Sequence, residues 1–235
     1  MDTELSSKRD NLWIYTVLPP VILNLFGCCI FGTYYGLASQ QPELVANINL
    51  GQLSFVLYVL IFIVEWVFTV SIILRLRQTG ASVIDLIAPG GDPWRFKWVP
   101  TALVFVIFNA IFAVYMTILW MSGGLRAFAS LSIWQRIFLI GLVPISAGFC
   151  EELIWRGYII TRLEADGRRR WPAILLSAAS FALIHGIFLL DKLLVTFLLG
   201  IVAGLYYTKE RNLVPLMAAH TIVDLWSFGL FFFVS

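Results

Sequence analysis

Charged residues are scarce in this chain. Only 13% of its 235 residues are Asp, Glu, Lys or Arg, whereas 60% are hydrophobic. A soluble domain carries about 25% charged residues, so this composition excludes a soluble protein and leaves no length for a second, soluble domain. The net charge of +2 is too small to indicate a nucleic-acid partner. The sequence therefore predicts a single integral membrane domain over residues 1–235, surrounded by membrane lipid.

Cysteine and histidine are also rare. Three cysteines, of which Cys28 and Cys29 are neighbours, are too few for a disulfide framework. Cys150 lies in an apolar run, where we expect a thiol to be unreactive and to serve packing. The chain has only two histidines, His185 and His220, and no His-Glu-x-x-His motif. Their spacing excludes the zinc-binding helix that this motif forms in many metalloproteases.

Long apolar runs fill most of the chain. A helix needs about 20 mostly apolar residues to cross a bilayer, and we expect about seven such helices, within a range of six to eight. No small-residue cleavage site follows the first run, so we expect that run to be a retained helix rather than a signal peptide. The predicted fold is an all-α polytopic membrane protein. Its predicted spans are residues 12–37, 52–74, 98–121, 133–160, 172–190, 193–208 and 213–234.

Basic residues predict the orientation of these spans. Lys and Arg concentrate in the cytoplasmic loops of membrane proteins. In this chain they cluster at the N-terminus and after the second, fourth and sixth predicted spans, and they are rare in the alternate loops. The pattern predicts a cytoplasmic N-terminus and a C-terminus outside. The basic residues of the cytoplasmic side are Lys8, Arg9, Arg75, Arg77, Arg95, Lys97, Arg162, Arg168, Arg169, Arg170, Lys209 and Arg211.

The fourth apolar run contains charges that an ordinary membrane helix avoids. Glu151, Glu152 and Arg156 interrupt it, and one charge near the bilayer centre costs roughly 2.5–3.5 kcal/mol. Residues four apart lie on one face of a helix, so Glu152 and Arg156 are predicted to form an ion pair. Glu151 is left without a counter-charge in its own helix. An unpaired carboxylate in apolar surroundings is a stronger base than one in water, as general-base catalysis requires.

Two later runs add further polar residues. Phe181 and His185 are four apart in the fifth run, and His220 and Asp224 are four apart in the seventh. A carboxylate at this spacing can accept the proton of one imidazole nitrogen and direct the other nitrogen into a site. The pattern predicts an acid–base site among the late helices, formed by Glu151, His185, His220 and Asp224.

Two other interpretations of these residues stay open. Buried Glu and His side chains also hydrogen-bond between membrane helices without any catalytic role. Buried Glu, His and Arg sets also mark proton paths in transporters, although the matched broken helices of an inverted-repeat transporter are missing here. Glu65, an isolated carboxylate in the second run, either lines the same site or pairs with Arg156 or a backbone group.

The motifs resemble those of the CPBP family, which includes CAAX prenyl endopeptidases and bacteriocin-processing and self-immunity proteins and is also called the Abi family. They are Glu-Glu-x-x-x-Arg at residues 151–156, Phe-x-x-x-His at 181–185 and His-x-x-x-Asp at 220–224. The resemblance covers residues 133–230. It implies an intramembrane endopeptidase that hydrolyses a peptide bond near the cytoplasmic face. The alternative within the same family is a non-catalytic scaffold or a bacteriocin-immunity protein.

The resemblance also implies a role for each site residue. Glu151 and His185 would activate a water, while His220 and Asp224 would stabilise the oxyanion and Phe181 would pack the motif. Prenyl endopeptidases have Asn where this chain has Asp224, and an ionised Asp cannot donate a hydrogen bond. Either Asp224 is protonated, or its role is to orient His220. A zinc ion held by Glu151, His185 and His220 is a second alternative, and the metal-free glutamate mechanism is favoured over it.

The substrate is expected to be a peptide or a membrane protein. The sequence does not identify it, nor does it indicate a prenyl group or an oligomeric state. The short chain without a targeting signal is more typical of a prokaryote, so we expect the plasma membrane of a prokaryotic cell.

Overall fold

The computed structural model describes residues 11–89, 91–121, 130–187 and 190–233, with side chains described as far as Leu230. Within these residues the structure contains helices and no strands. Seven of the helices are long, and two short ones, Pro42–Val45 and Val83–Ile87, lie in the connecting segments of the described chain. The long helices are α1 (Leu12–Gln40), α2 (Leu50–Gln78), α3 (Trp98–Met121), α4 (Ile133–Ala165), α5 (Arg170–Leu183), α6 (Leu190–Glu210) and α7 (Val214–Phe233).

The long helices confirm the predicted all-α polytopic membrane fold. Within the described residues, five of them, α1 to α4 and α6, are long and apolar enough to cross a membrane, and α5 and α7 are shorter apolar helices. Each predicted span coincides with one helix. The largest difference is at the fifth span, which was predicted to reach residue 190, whereas α5 ends at Leu183. A turn follows it, and Gly186 in that turn has a φ of 103°, a conformation that glycine adopts without strain.

Helix α4 forms the centre of the bundle. Of its most apolar stretch, 61% is buried, against 39% or less in the other four span-length helices of the described chain. A capping box of Ser132 and Gln135 begins the helix. From Glu152 to Ile160 it is π-helical, and every residue of this stretch is buried. The charged motif predicted from the sequence therefore lies in the most enclosed part of the molecule.

Gly148 brings α7 close to α4. A Cβ atom on Gly148 would lie 2.8 Å from the carbonyl oxygen of Met217 and would also collide with the side chain of Thr221. Only a residue without a side chain lets the two backbones approach this closely. The contact is one turn before the charged motif of α4 and beside His220 of α7, so it positions the site.

Asn24 of α1 holds the turn that follows α5. Its Nδ2 donates to the carbonyl oxygen of Leu183 at 2.7 Å, and its Oδ1 accepts from the backbone N–H of Ile187 at 3.0 Å. These two backbone groups lie on either side of His185. This one side chain thus supplies hydrogen-bond partners for backbone groups at and after the end of α5, which would otherwise be unpaired.

Candidate active site

The predicted ion pair between Glu152 and Arg156 is present. Nη1 of Arg156 lies 3.1 Å from Oε1 of Glu152, and the two side chains are 1% and 0% exposed. The guanidinium carbon of Arg156 also lies 4.1 Å from the ring centroid of Phe181, a favourable cation–π geometry. Arg156 is therefore fixed by a carboxylate within its own helix and by an aromatic ring of α5.

Glu152 also binds His220 of α7. Nδ1 of His220 lies 2.9 Å from the same Oε1 atom that binds Arg156. A carboxylate oxygen is an acceptor, so Nδ1 carries the hydrogen of this bond. The sequence had suggested Asp224 as the residue that orients His220, but its Oδ2 lies 3.7 Å from the other nitrogen, Nε2. The shortest contact that orients the imidazole therefore comes from Glu152, on a different helix.

Glu151 lies on the opposite side of the His220 ring. Its Oε2 is 3.4 Å from Nε2 of His220 and has no hydrogen-bond partner. The carboxyl group of Glu65, in α2, lies within hydrogen-bonding range of the Glu151 carboxyl group. Of the alternatives that the sequence left open for Glu65, the structure thus supports a place in the site beside Glu151.

His185 is held by its own helix. Its Nδ1 lies 3.0 Å from the carbonyl oxygen of Phe181. A carbonyl accepts only, so Nδ1 donates and Nε2 of the neutral ring remains an acceptor. The Phe181 ring packs at its edges against both imidazoles, with centroid distances of 5.0 Å to His185 and 6.2 Å to His220. The residue predicted to pack the motif therefore contacts both histidines of the site.

These side chains line one cavity between the six helices α2 to α7. Its volume is about 110 Å³, enough for several water molecules, since one water needs about 10–15 Å³ by this measure. The residues of α3 and α6 that line it lie mostly in one half of each helix. In both helices this is the half farther from the basic connecting segments. The charged or titratable residues of its lining, tyrosines aside, are Glu65, Glu151, Glu152, Arg156, His185, Lys192, His220 and Asp224.

The geometry does not fit the alternative of a zinc site. Within the described parts of the chain, no three His, Cys, Asp or Glu side chains are arranged to hold a metal ion. Glu151 and His220 are close together, but His185 does not complete a three-ligand set with them. We therefore derive no chemical step through zinc.

Two polar residues near the site escaped the sequence analysis. Lys192 falls between the predicted spans 172–190 and 193–208, whereas in the structure it lies in the first turn of α6 and lines the cavity. Asn24 is a lone amide within the first apolar run. Such an isolated polar residue is a signal in membrane helices, because its hydrogen bonds need partners on another helix.

A comparison with protein families gives a match in the second half of the chain. Residues 132–226 match the family model described as type II CAAX prenyl endopeptidase Rce1-like. This segment, called the Rce1-like domain below, is similar to that family. The match confirms the resemblance to the CPBP family, and the Rce1-like domain contains all three motifs. Searches of the curated proteins and of the solved structures give no match. The apolar helices indicate an integral membrane protein, and its second half is similar to a family of prenyl endopeptidases.

Proposed function

We propose that the protein is an intramembrane endopeptidase of the glutamate type, with Glu151 as the general base. The observation that supports this most directly is the contact between Glu151 and His220 inside a cavity that can hold water. A carboxylate and an imidazole in one buried cavity are the groups that hydrolysis requires. Both belong to the Rce1-like domain, whose family description names an endopeptidase.

Glu151 would carry the proton through the reaction. Its carboxylate takes one proton from water while the water oxygen bonds to the carbonyl carbon of the scissile peptide. The tetrahedral intermediate then collapses, the C–N bond breaks, and the same proton passes from Glu151 to the leaving nitrogen. The products are a carboxylic acid, which keeps the second hydrogen of the water, and an amine; that hydrogen then passes to the amine to give a carboxylate and an ammonium group, and Glu151 is again ionised.

The two histidines would have different roles because their hydrogen bonds differ. His185 donates from Nδ1 to Phe181, so its Nε2 can accept the second hydrogen of the attacking water. His220 donates from Nδ1 to Glu152, and its Nε2 faces oxygens of Glu151 and Asp224. A hydrogen on Nε2 suits those acceptors, and the resulting imidazolium can donate to the oxyanion. Asp224, 3.7 Å from Nε2, would add a negative charge beside the imidazolium.

The substrate would be a peptide segment held within the membrane. The sequence predicted cleavage near the cytoplasmic face. The cavity, however, is lined by the halves of α3 and α6 that lie farther from the basic connections. We therefore propose that the scissile bond enters from the cytoplasmic side and is cut deeper in the bilayer.

The first prediction tests the activity itself. Glu151→Gln and His185→Ala are expected to abolish cleavage, because each removes a group that handles the attacking water, while the protein still inserts and folds. Mass spectrometry of membrane peptides from cells that express wild type or Glu151→Gln would detect the substrate as an accumulated uncut precursor. Glu43→Gln, which changes an exposed carboxylate outside the site, is the matched control.

Normal processing by both site variants would contradict the proposal. The non-catalytic scaffold of the same family gives a different result. In that case Glu151→Gln complements a deletion strain and no precursor accumulates.

A further inference from the structure

We propose that Glu65 is a positioning residue of this site: its carboxyl group carries a proton and donates a hydrogen bond to the carboxylate of Glu151. The inference rests on the proposed function, because it explains how the general base is held. Glu65 lies outside the Rce1-like domain, on α2, so the match to the family does not include it.

The contact itself requires a hydrogen. Glu65 is 3% exposed, and its carboxyl group lies within hydrogen-bonding range of that of Glu151. Both groups are acceptors when ionised, and neither Oε1 of Glu65 nor Oε2 of Glu151 has a donor. Two ionised carboxylates at this distance in a membrane interior would repel each other strongly. Sharing one proton turns the repulsion into a hydrogen bond.

The charges around the cavity lead to the same requirement. Four acidic side chains line it: Glu65, Glu151, Glu152 and Asp224. Arg156 and Lys192 supply two positive charges, and His220 supplies a third when both of its nitrogens carry hydrogen. One negative charge then remains without a counter-charge, which is unfavourable inside a membrane. One added proton makes the set neutral.

Glu65 is the acid that best accommodates this proton. Glu152 accepts hydrogen bonds from Arg156 and His220, and Asp224 faces Nε2 of His220. In the described part of the chain Glu65 forms no ion pair with a basic side chain, and its Oε1 has no hydrogen-bond partner. A proton on Glu65 leaves Glu151 ionised as the base and fixes the direction of its carboxylate.

Infrared spectroscopy of the purified protein tests the protonation directly, without a substrate. Wild type is expected to show the C=O band of a protonated carboxyl group at neutral pH, and the band is expected to vanish in Glu65→Gln. Glu43→Gln is the control that should keep the band. The proposal is overturned if wild type lacks the band or if Glu65→Gln retains it.

Cleavage rates test the positioning role. The probe is the precursor that accumulates in cells expressing Glu151→Gln. Glu65→Gln keeps a neutral hydrogen-bond donor and is expected to cleave within about threefold of the wild-type rate, whereas Glu65→Leu removes the donor and is expected to lose on the order of 10- to 100-fold in kcat. Equal losses of kcat in folded Glu65→Gln and folded Glu65→Leu would overturn the positioning role of Glu65. If Glu65→Leu does not fold, the proposal is still tested by two measurements. They are the cleavage rate of Glu65→Gln relative to wild type and the infrared band.

The two proposals fail in distinguishable ways. Full processing by Glu151→Gln refutes the general base but leaves the infrared band of the carboxyl pair unaffected. Loss of processing in Glu151→Gln together with no band in wild type refutes the role of Glu65 alone.

Discussion

One oxygen atom of Glu152 binds two side chains, a guanidinium and an imidazole. Arg156 and His220 both bind its Oε1, at 3.1 and 2.9 Å. Removing one partner of a buried ion pair leaves an uncompensated charge, whereas replacing both partners by apolar groups is often neutral. Glu152 should therefore have two separable effects, one on stability through Arg156 and one on catalysis through His220.

Glu152→Ala is expected to destabilise the protein by about 3–5 kcal/mol, because the Arg156 guanidinium remains buried without its carboxylate. The double variant Glu152→Leu/Arg156→Met should recover most of this stability but not the cleavage, because His220 still lacks its Nδ1 acceptor. Unfolding in detergent measures the first effect and processing of the precursor the second. A double variant as unstable as Glu152→Ala would contradict this interpretation.

The part of the site within one helix could be predicted from the sequence, and the part between helices could not. Spacing four apart predicted the pair of Glu152 and Arg156, because helix geometry fixes it. The same spacing indicated Asp224 as the residue that orients His220, whereas Glu152 lies nearer. Contacts between helices depend on how each helix is rotated about its axis, and a single sequence does not specify that rotation. The place of Glu65 stayed open for the same reason.

At the scale of the helices, Gly148 sets the distance on which the site depends. The backbone of α7 passes so close that a Cβ at this position would meet Met217 and Thr221. Three residues later α4 carries Glu151, and three residues after Met217 α7 carries His220. A change in the separation of the two helices must therefore change the distances from His220 to both glutamates.

Gly148→Ala is expected to destabilise the protein by about 1–3 kcal/mol through overpacking. It should also lower the cleavage rate by on the order of 100-fold, since a displacement of about 1 Å at a site has that effect. Gly141→Ala, in the same helix but with open space around it, should leave both properties nearly unchanged. Unfolding in detergent and processing of the precursor are compared for the two variants. Equal behaviour would show that the close approach does not position the site.

The helices themselves were well predicted because their signals are local. Apolar length and turn residues place the seven spans within a few residues, except where α5 ends early. The π-helical stretch Glu152–Ile160 had no such signal. π-Helical segments are rare and often occur at functional sites, and this one begins directly after Glu151 and includes Glu152 and Arg156.

At the scale of the whole molecule, the orientation in the membrane stays a prediction. The basic residues predict that Gln41 faces the outside and Asp166 the cytoplasm. In a variant without the three native cysteines, Gln41→Cys should react with a membrane-impermeant maleimide added to intact cells, and Asp166→Cys should react only after the membrane is opened. The reverse pattern of labelling would contradict the predicted orientation. The halves of α3 and α6 that line the cavity would then lie nearer the cytoplasm.

The hydrogen bonds of Asn24 show that the boundaries of the Rce1-like domain are not those of the working unit. The amide comes from the first helix, more than a hundred residues before the segment that matches the family, yet it holds the turn that contains His185. A fragment limited to residues 132–226 would keep every motif residue and lose this support, together with Glu65. Homologous cores that share the motifs could thus differ in activity according to the helices that precede them.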